Sequence, residues 1–223
     1  LAPGLITYRF ARDVRALSNG IAGLTARILD AVESLPAEER AHVMTGSEFV
    51  EQAITPGSLV DDLTLPLAHL DQPTREVARA LAILGDSADA KEVVALVQLP
   101  PGDAEAALAV LEDLGITTTQ LGPSGHARAR FATPLVAVAI RRAMPLLRAH
   151  LLHDRAAQLR EPKTLTPDEC EAVVSHYLDG SLPLTPPRVE HIVDTAQRFV
   201  ERSRYAAARR LLEAAIARGS ADP

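Results

Sequence analysis

The most informative stretch of the chain, residues 103–132, reads DAEAALAVLEDLGITTTQLGPSGHARARFA. Asp103 can cap a helix over residues 104–114, and Gly115 stands where a helix commonly ends. Residues 116–121 contain three consecutive threonines, which favour a β-strand. The sequence therefore predicts a helix followed at once by a strand.

A second strand is predicted after the turn signal Gly-Pro-Ser-Gly at residues 122–125. Residues 127–132 alternate small or apolar side chains with basic ones, which is typical of a strand with one solvated face. A further helix is predicted over residues 134–144. Helices, a two-stranded hairpin and another helix, in this order, indicate a winged-helix domain.

The remainder of the chain is predicted to be almost entirely helical. Apolar residues recur at spacings of three and four, and aromatic residues make up only 3 % of a chain that is 47 % hydrophobic. The predicted helices cover residues 8–17, 21–32, 48–54, 59–70, 75–84, 89–98, 104–114, 134–144, 146–159, 167–179, 186–202 and 205–218.

These patterns predict a mainly α fold in three parts. Residues 1–57 form a helical subdomain, residues 58–145 the winged helix, and residues 146–223 helical hairpins that begin a tetratricopeptide-like repeat region. Proline- and glycine-rich segments are candidate hinges or boundaries, namely residues 56–57, 99–102 and 182–184.

Composition narrows the classes of function. The single cysteine, Cys170, cannot form an internal disulfide, and no apolar run approaches the roughly 20 residues that span a bilayer. We therefore expect a cytoplasmic protein without membrane contact. A net charge of -6 argues against broad binding to nucleic acid. The first residue, Leu1, is not a methionine, which suggests a piece of a longer protein.

Signatures of self-contained catalysis are absent from the sequence. A P-loop needs a lysine directly after a glycine, but Lys91 follows Ala90 and Lys163 follows Pro162. There is no Gly-x-Ser-x-Gly elbow and no His-Glu-x-x-His zinc helix. We predict that this fragment is not an enzyme and holds no cofactor of its own, with no catalytic residue and no metal site.

A small group of histidines leaves metal binding as an alternative. His150 and His153 lie three residues apart on one helix, and Cys170 and His176 are candidates to approach them. No fixed ligand spacing supports a metal, so we favour histidines that pair with water or Asp154. Cys170 is interpreted as a buried and inert thiol.

The helix before the hairpin is the element that usually enters the major groove in winged-helix DNA-binding proteins. Here it contains no Lys or Arg and four acidic residues, Asp103, Glu105, Glu112 and Asp113. These carboxylates would repel phosphates, so we predict no direct DNA binding through this helix. The predicted hairpin carries a basic wing of His126, Arg128 and Arg130, which we interpret as the solvated face of an edge strand.

Several local motifs resemble one known family. They are residues 18–24 (SNGIAGL), 130–136 (RFATPLV), 147–151 (LRAHL), 155–157 (RAA), 173–178 (VVSHYL) and 205–212 (YAAARRLL). The chain is similar to the region after the nucleotide-binding core in large ATP-binding regulators of the LuxR type. These proteins belong to the signal-transduction ATPases with numerous domains, which are common in actinobacteria.

This resemblance implies a helical lid, a winged helix and the start of helical repeats, downstream of a nucleotide-binding domain that holds ATP or ADP in a DNA-binding parent protein. It also implies three nucleotide-contacting positions, Gly20, Ala22 and Thr133. Ala22 stands where relatives have a proline that packs near the adenine, and Thr133 where they have a histidine that senses the phosphates. The competing interpretation is that Gly20 and Thr133 are helix-boundary residues.

Three hypotheses follow from the sequence. The first is a regulatory fragment of an ATP-dependent transcriptional activator that couples nucleotide or effector state to self-association, with its own upstream nucleotide-binding domain as a partner. The second is a free-standing helical adaptor that binds a protein through its C-terminal hairpins. The third is a DNA-binding repressor that uses the basic wing.

Overall fold

A computed structural model describes residues 7–44, 58–85, 88–122, 126–161 and 167–219. The chain divides into two compact units, Leu1–Met144 and Pro145–Pro223. The described residues form twelve helices and one three-stranded antiparallel sheet, which confirms the predicted mainly α fold.

The first unit contains eight of the described helices and all three described strands. In chain order these are α1 (Tyr8–Ser18), α2 (Ala22–Glu33), α3 (Ala37–Met44), α4 (Ser58–Ala68), α5 (Gln72–Leu84), β1 (Ala88–Asp89), α6 (Ala90–Val97), α7 (Pro101–Asp113), β2 (Thr117–Leu121), β3 (Ala127–Phe131) and α8 (Pro134–Ala143). The second unit contains α9 (Leu146–Arg160), α10 (Pro167–Asp179), α11 (Pro186–Glu201) and α12 (Tyr205–Gly219).

Two helices begin earlier than predicted because proline is favourable in the first turn of a helix. Helix α5, predicted to begin at residue 75, begins at Gln72, and at its N-cap the carboxylate of Asp71 accepts the Thr74 N–H at 2.9 Å. Helix α7 begins at Pro101 rather than after Asp103, since a proline there has no N–H to leave unpaired.

Two elements were not predicted. Helix α3 buries only Val43 and Met44, so its sequence lacks a clear apolar period. Strand β1 has two residues, too few for any alternation to be visible. The predicted helix over residues 48–54 and the hinge at residues 56–57 lie outside the described residues.

The sheet contains the predicted hairpin and extends it by one strand. The strand order is β1–β3–β2, with Thr117 opposite Phe131 in β2 and β3, and Ala88 opposite Ala129 in β1 and β3. Ala129 and Phe131 are buried, so alternate residues of β3 face the interior. The solvated face of β3 carries Arg128 and Arg130 of the wing, and His126 directly precedes the strand.

One apolar core joins the N-terminal helices to α8. Leu135 and Val138 of α8 belong to the same buried cluster as residues of α1, α2 and α3, namely Phe10, Val14, Leu17, Ile28, Val32, Val43 and Met44. The segment interpreted as a lid and the segment that carries the hairpin therefore share one interior.

Two predicted hinges lie inside compact units. Residues 99–102 connect α6 to α7, which both pack against α5 within the first unit. Residues 182–184 lie within the second unit, where the Asp154 carboxylate accepts the Leu182 N–H at 3.0 Å and Arg188 donates to Pro183 O at 3.1 Å. The observed division falls between Met144 and Pro145.

The second unit consists of consecutive helices that pack on one another. Ile192 of α11 lies in a cluster with Ala157 of α9 and with Val173, Val174 and Tyr177 of α10. Ala196 and Phe199 of α11 pack against Ala208 of α12. Arg218 donates to Leu178 O and Leu182 O at 2.7 Å each, which ties α12 to the end of α10.

In the part of the chain that the structure describes, no individual helix has the length and apolar character needed to cross a membrane. Helices α6 and α7 meet those criteria only when taken together, and they are bent by 120° at their junction.

Substitutions at two neighbouring residues of α7 test which side of this helix is buried. Leu111 is fully buried, whereas Val110 is 41 % exposed. We expect Leu111→Ala to lower the free energy of unfolding by about 2–5 kcal/mol, because it leaves a cavity in the interior of the first unit. Val110→Ala should change it by less than about 0.5 kcal/mol. Chemical denaturation measures both, and equal effects of the two substitutions would contradict the observed orientation of α7.

Candidate functional site

The turn between α1 and α2 is built by two residues in left-handed conformation. Asn19 has φ 50° and Gly20 has φ 74°. The Asn19 N–H donates to Ala16 O at 3.3 Å and the Gly20 N–H to Arg15 O at 3.2 Å, which satisfies the last carbonyls of α1. Gly20 is thus a helix-boundary residue, as one interpretation of the sequence predicted.

A side-chain hydrogen bond connects this turn to the start of α8. Asn19 Nδ2 donates to Ala132 O at 3.0 Å, although the two residues are far apart in the sequence. Ala132 directly precedes Thr133, so the bond brings the turn that contains Gly20 close to Thr133. Two of the three predicted nucleotide-contacting positions therefore lie at one corner of the first unit.

Thr133 occupies the N-cap position of α8 but makes no side-chain capping bond there. Its side chain is buried, and Oγ1 has no hydrogen-bond partner among the described residues. An N-cap threonine ordinarily accepts an N–H from the first turn. A buried hydroxyl that lacks this bond can both donate to and accept from a group brought to the corner.

A groove of about 490 Å³ runs along the same turn, between α1 and α2. Its walls are mainly apolar, with a guanidinium and a hydroxyl among them, and are formed by Phe10, Ala11, Val14, Arg15, Gly20, Thr25 and Leu29. Thr25 Oγ1 donates to Ile21 O at 3.0 Å and lies 2.9 Å from Ser18 Oγ. Such a groove can hold an apolar or planar group with a negative charge near Arg15.

Sequence reasoning missed two residues of this corner. Arg15 was not singled out, although its carbonyl receives the Gly20 N–H, and neither was Asn19, whose long-range contact has no local signal. Ala22 is the first residue of α2 and is exposed, but it does not line the groove.

The basic wing is anchored at its tip by an acidic residue. His126 Nδ1 lies 3.1 Å from Asp89 Oδ2, and Asp89 also accepts the Lys91 N–H at 2.8 Å at the start of α6. Partial burial works to raise the pKa of Asp89, but the hydrogen bonds from Lys91 and His126 outweigh it and lower the pKa. This contact favours the charged form of Asp89.

The interpretation of the wing as an edge strand is wrong. Strand β3 is the central strand, since β1 pairs with its other side, and the short β1 had no signal in the sequence. Arg128 lies opposite Asp89 in β1 and Gln120 in β2. Arg130 is exposed, and its Nε donates to Thr118 Oγ1 at 3.3 Å. The two arginines share the solvated face of the sheet.

Helix α7 directly precedes the hairpin, and its outer face is acidic. Asp103, Glu105, Glu112 and Asp113 are all exposed, while Ala104, Ala107 and Leu111 face the interior. Glu112 accepts both the N–H and the hydroxyl of Thr119, at 3.1 and 3.0 Å. A surface of this charge opposes the approach of a phosphate backbone.

The histidines of the second unit form a buried polar contact. His153 Nδ1 lies 3.1 Å from His176 Nδ1, and Arg160 Nη1 lies 3.4 Å from His176 Nε2. Arginine only donates, so His176 Nε2 accepts, and His176 Nδ1 carries the proton that it donates to His153. Burial first, and then His153 and Arg160, lower the pKa of His176 from 6.5 to about 3.

Cys170 lies apart from this histidine pair. It is half-buried rather than fully buried as predicted, and it faces Arg198 and His191 of α11 across a small cavity. No cluster of three or more His, Cys, Asp or Glu side chains within the described ranges is arranged to hold a metal ion.

Comparisons with known proteins give no relative for this chain. No family model, no curated protein and no solved structure matches it. The residues themselves therefore carry the functional argument.

The lowered pKa of His176 predicts that the stability of the fold depends on pH. Its pKa is lower in the folded chain than in the unfolded chain, so the unfolded chain gains a proton first as the pH falls. The stabilisation of the folded chain that comes from keeping His176 neutral is complete above pH 6.5 and is lost progressively as the pH falls to about 3. From pH 7 to pH 5, protonation of the unfolded chain at His176 lowers the free energy of unfolding of the unmodified chain. In the His176→Gln variant, which lacks this group, we expect the decrease over the same pH range to be about 2 kcal/mol smaller.

Chemical denaturation at the two pH values measures this difference. The matched control is His150→Gln, which replaces a half-buried histidine of α9. The free energy of unfolding of this variant should change with pH in the same way as that of the unmodified chain. An unchanged pH dependence in His176→Gln would contradict a neutral, buried His176.

Proposed function

We propose that this chain is a regulatory segment of a cytoplasmic, ATP-dependent transcriptional activator of the LuxR type. In this proposal it couples nucleotide or effector state to self-association and performs no catalysis itself. Residues 1–57 act as the lid of the ATPase, residues 58–145 as a winged helix that does not bind DNA, and residues 146–223 as the start of a repeat region.

The observation that carries the proposal is the hydrogen bond from Asn19 Nδ2 to Ala132 O. It brings together two positions that the family resemblance associates with the nucleotide, Gly20 and Thr133. Beside it lies a buried hydroxyl without a partner among the described residues. In this proposal, the nucleotide bound by another domain is sensed at the corner where these two positions meet.

The element order of the first unit supports the winged-helix part. Helix α5 is followed by β1, α6, α7 and then the β2–β3 hairpin, and β1 completes a small sheet with β3 in the centre. The acidic outer face of α7 favours a protein contact over a DNA contact for this segment.

The residues of the corner could contact a nucleotide, but they are too few to form a complete nucleotide-binding site. Thr133 Oγ1 would form one hydrogen bond and Arg15 would attract a phosphate, but Ala22 replaces the proline expected against the adenine. Neither lysine follows a glycine. In this proposal, an upstream domain supplies the phosphate cradle. ATP would supply binding free energy that favours one arrangement of the domains over another.

The shared core determines what such a switch would move. The N-terminal helices and α8 have a common buried cluster, so a change at the corner acts on the first unit as one body rather than on separate lid and winged-helix bodies.

Calorimetric titration of ATP into the 223-residue chain tests where the phosphate cradle lies. We expect a Kd weaker than about 1 mM, because a single hydrogen bond and one arginine provide little binding free energy. Micromolar binding would contradict an upstream cradle.

A coding sequence upstream of Leu1 that encodes a P-loop domain is also expected, and its absence would favour the free-standing adaptor.

Substitution of Thr133 tests whether its hydroxyl lacks a partner in the chain. We expect Thr133→Val to keep the shape of the side chain and to raise the free energy of unfolding by up to about 1 kcal/mol, because it removes a buried polar atom. The control, Thr25→Val, removes a hydroxyl that forms hydrogen bonds and should lower it. A clear loss of stability in Thr133→Val would show that the hydroxyl is already bonded.

A mobility-shift experiment at low salt tests the DNA-binding alternative. We expect the chain not to retard a DNA duplex, because α7 is acidic and Asp89 lies opposite Arg128. Retardation that disappears when Arg128 and Arg130 are both changed to Ala would contradict the proposal and assign binding to the wing. Retardation that survives both changes would contradict it as well, but would exclude the wing.

A further inference from the structure

The contact between α10 and α11 in the second unit encloses a small cavity of about 20 Å³. Its lining residues recur at every third or fourth position of each helix, so each set occupies one helix face. They are Cys170 and Val173 of α10 and His191, Asp194, Thr195 and Arg198 of α11. A cavity of this volume has room for one group the size of an oxygen atom or a water molecule.

One wall of the cavity carries a buried hydroxyl group. Thr195 is only 3 % exposed, and its Oγ1 has no hydrogen-bond partner among the described residues. A buried hydroxyl that lacks a partner is unfavourable in a folded chain, and it can both donate to and accept from an added group. An oxygen atom placed in the cavity would supply the missing partner.

The opposite wall carries the only thiol of the chain. Cys170 is half-buried, so reagents in solution can reach its sulfur. Arg198 donates a hydrogen bond to this sulfur, and that bond is the main reason that the pKa of Arg198 lies above its usual value. The thiol therefore lies between a guanidinium and a cavity.

The other polar residues of the cavity favour a small neutral molecule. His191 Nδ1 lies 3.1 Å from Tyr177 Oη, and the two rings are stacked, so the imidazole is held in place. Asp194 is exposed one helical turn before Arg198, and its carboxylate interacts with that guanidinium. Because these two charges oppose each other, the cavity does not select strongly for an anion or for a cation.

We propose that this cavity is a site of reversible oxidation, at which hydrogen peroxide converts the thiol of Cys170 to a sulfenic acid. The thiolate sulfur attacks one oxygen of the peroxide, and the O–O bond breaks as the S–O bond forms. The other oxygen leaves as hydroxide and takes up a proton to become water. The sulfur is oxidised by two electrons, and the peroxide is reduced by the same two electrons.

Two neighbours of the sulfur match the requirements of this reaction. Negative charge passes from the sulfur to the departing oxygen, where the guanidinium of Arg198 stabilises it. The oxygen that remains on Cys170 enters the cavity and forms a hydrogen bond with Thr195 Oγ1. This oxygen then fills the available space, which hinders a second peroxide from carrying the sulfur on to the sulfinic acid.

The sulfenic acid is expected to persist until an external thiol reduces it. The chain has one cysteine, so no internal disulfide can form. One molecule of glutathione would form a mixed disulfide with Cys170 and release water, and a second would displace the Cys170 thiolate as oxidised glutathione. These steps require neither a nucleotide nor an upstream domain, so the oxidation goes beyond the proposed function and is tested separately from it.

The first test measures how fast the full chain forms a sulfenic acid. The chain is exposed to hydrogen peroxide, trapped with dimedone, which captures sulfenic acids, and analysed by mass spectrometry. We expect Cys170 to be trapped, and Arg198→Gln to slow its oxidation about fivefold or more, as loss of one charge-assisted hydrogen bond predicts.

The matched control combines Cys170→Ser with Ala172→Cys. It places a half-buried thiol on the same helix but outside the cavity. We expect this thiol to be oxidised about fivefold more slowly than Cys170 or less readily still, because it lacks the contact with Arg198. Circular dichroism verifies that each variant is folded. Absence of a trapped sulfenic acid at Cys170, or oxidation no faster than at residue 172, would overturn the proposal.

The second test measures how long the sulfenic acid lasts. Catalase removes the peroxide, and the fraction that still reacts with dimedone is followed in the absence of thiols. We expect Thr195→Val, which keeps the shape of the side chain, to shorten the lifetime about fivefold, because one hydrogen bond to the oxygen is lost. Thr195→Ser keeps the hydroxyl and should preserve the lifetime. An equal lifetime in Thr195→Val and the unmodified chain would show that the oxygen does not enter the cavity and would overturn the proposal.

Discussion

The first unit depends on one apolar contact between parts of the chain that are distant in sequence. Phe10 and Val14 of α1 share a buried cluster with Leu135 and Val138 of α8. Burying such side chains contributes roughly 1.5–3 kcal/mol for each, so the contact is strong enough to hold α1 against α8. Asn19 then completes the corner by donating to Ala132 O. Without the shared core, that single exposed hydrogen bond would be worth about 1 kcal/mol at most.

The same contact gives the candidate site its position. Thr133 begins α8, and Gly20 ends the turn after α1, so the core that fixes the two helices also fixes the distance between these residues. The groove beside Arg15 lies on the same helices. In the proposed switch, the corner is preformed, and the packed side chains of the shared core would carry a change at the corner from one helix to the other.

Sequence reasoning recovered what local signals determine and missed what distant contacts determine. The helix before the hairpin and the hairpin itself have clear periodicity and turn residues, and the structure contains both. Helix α3 and strand β1 were missed because one buries only two residues and the other has only two. The role of Asn19 depends on a residue more than a hundred positions away, and the central position of β3 depends on β1, so neither was visible along the chain. Arg15 belongs to the site through the geometry of the turn that follows it.

Native-state hydrogen exchange tests the shared core most directly. The account predicts that the amides of Val14 and Leu17 in α1 exchange with the same free energy of opening, and the same dependence on denaturant, as those of Val138 and Ile140 in α8, because the helices open together. Exchange of the α1 amides through a separate opening of lower free energy, while α8 stays protected, would contradict the account.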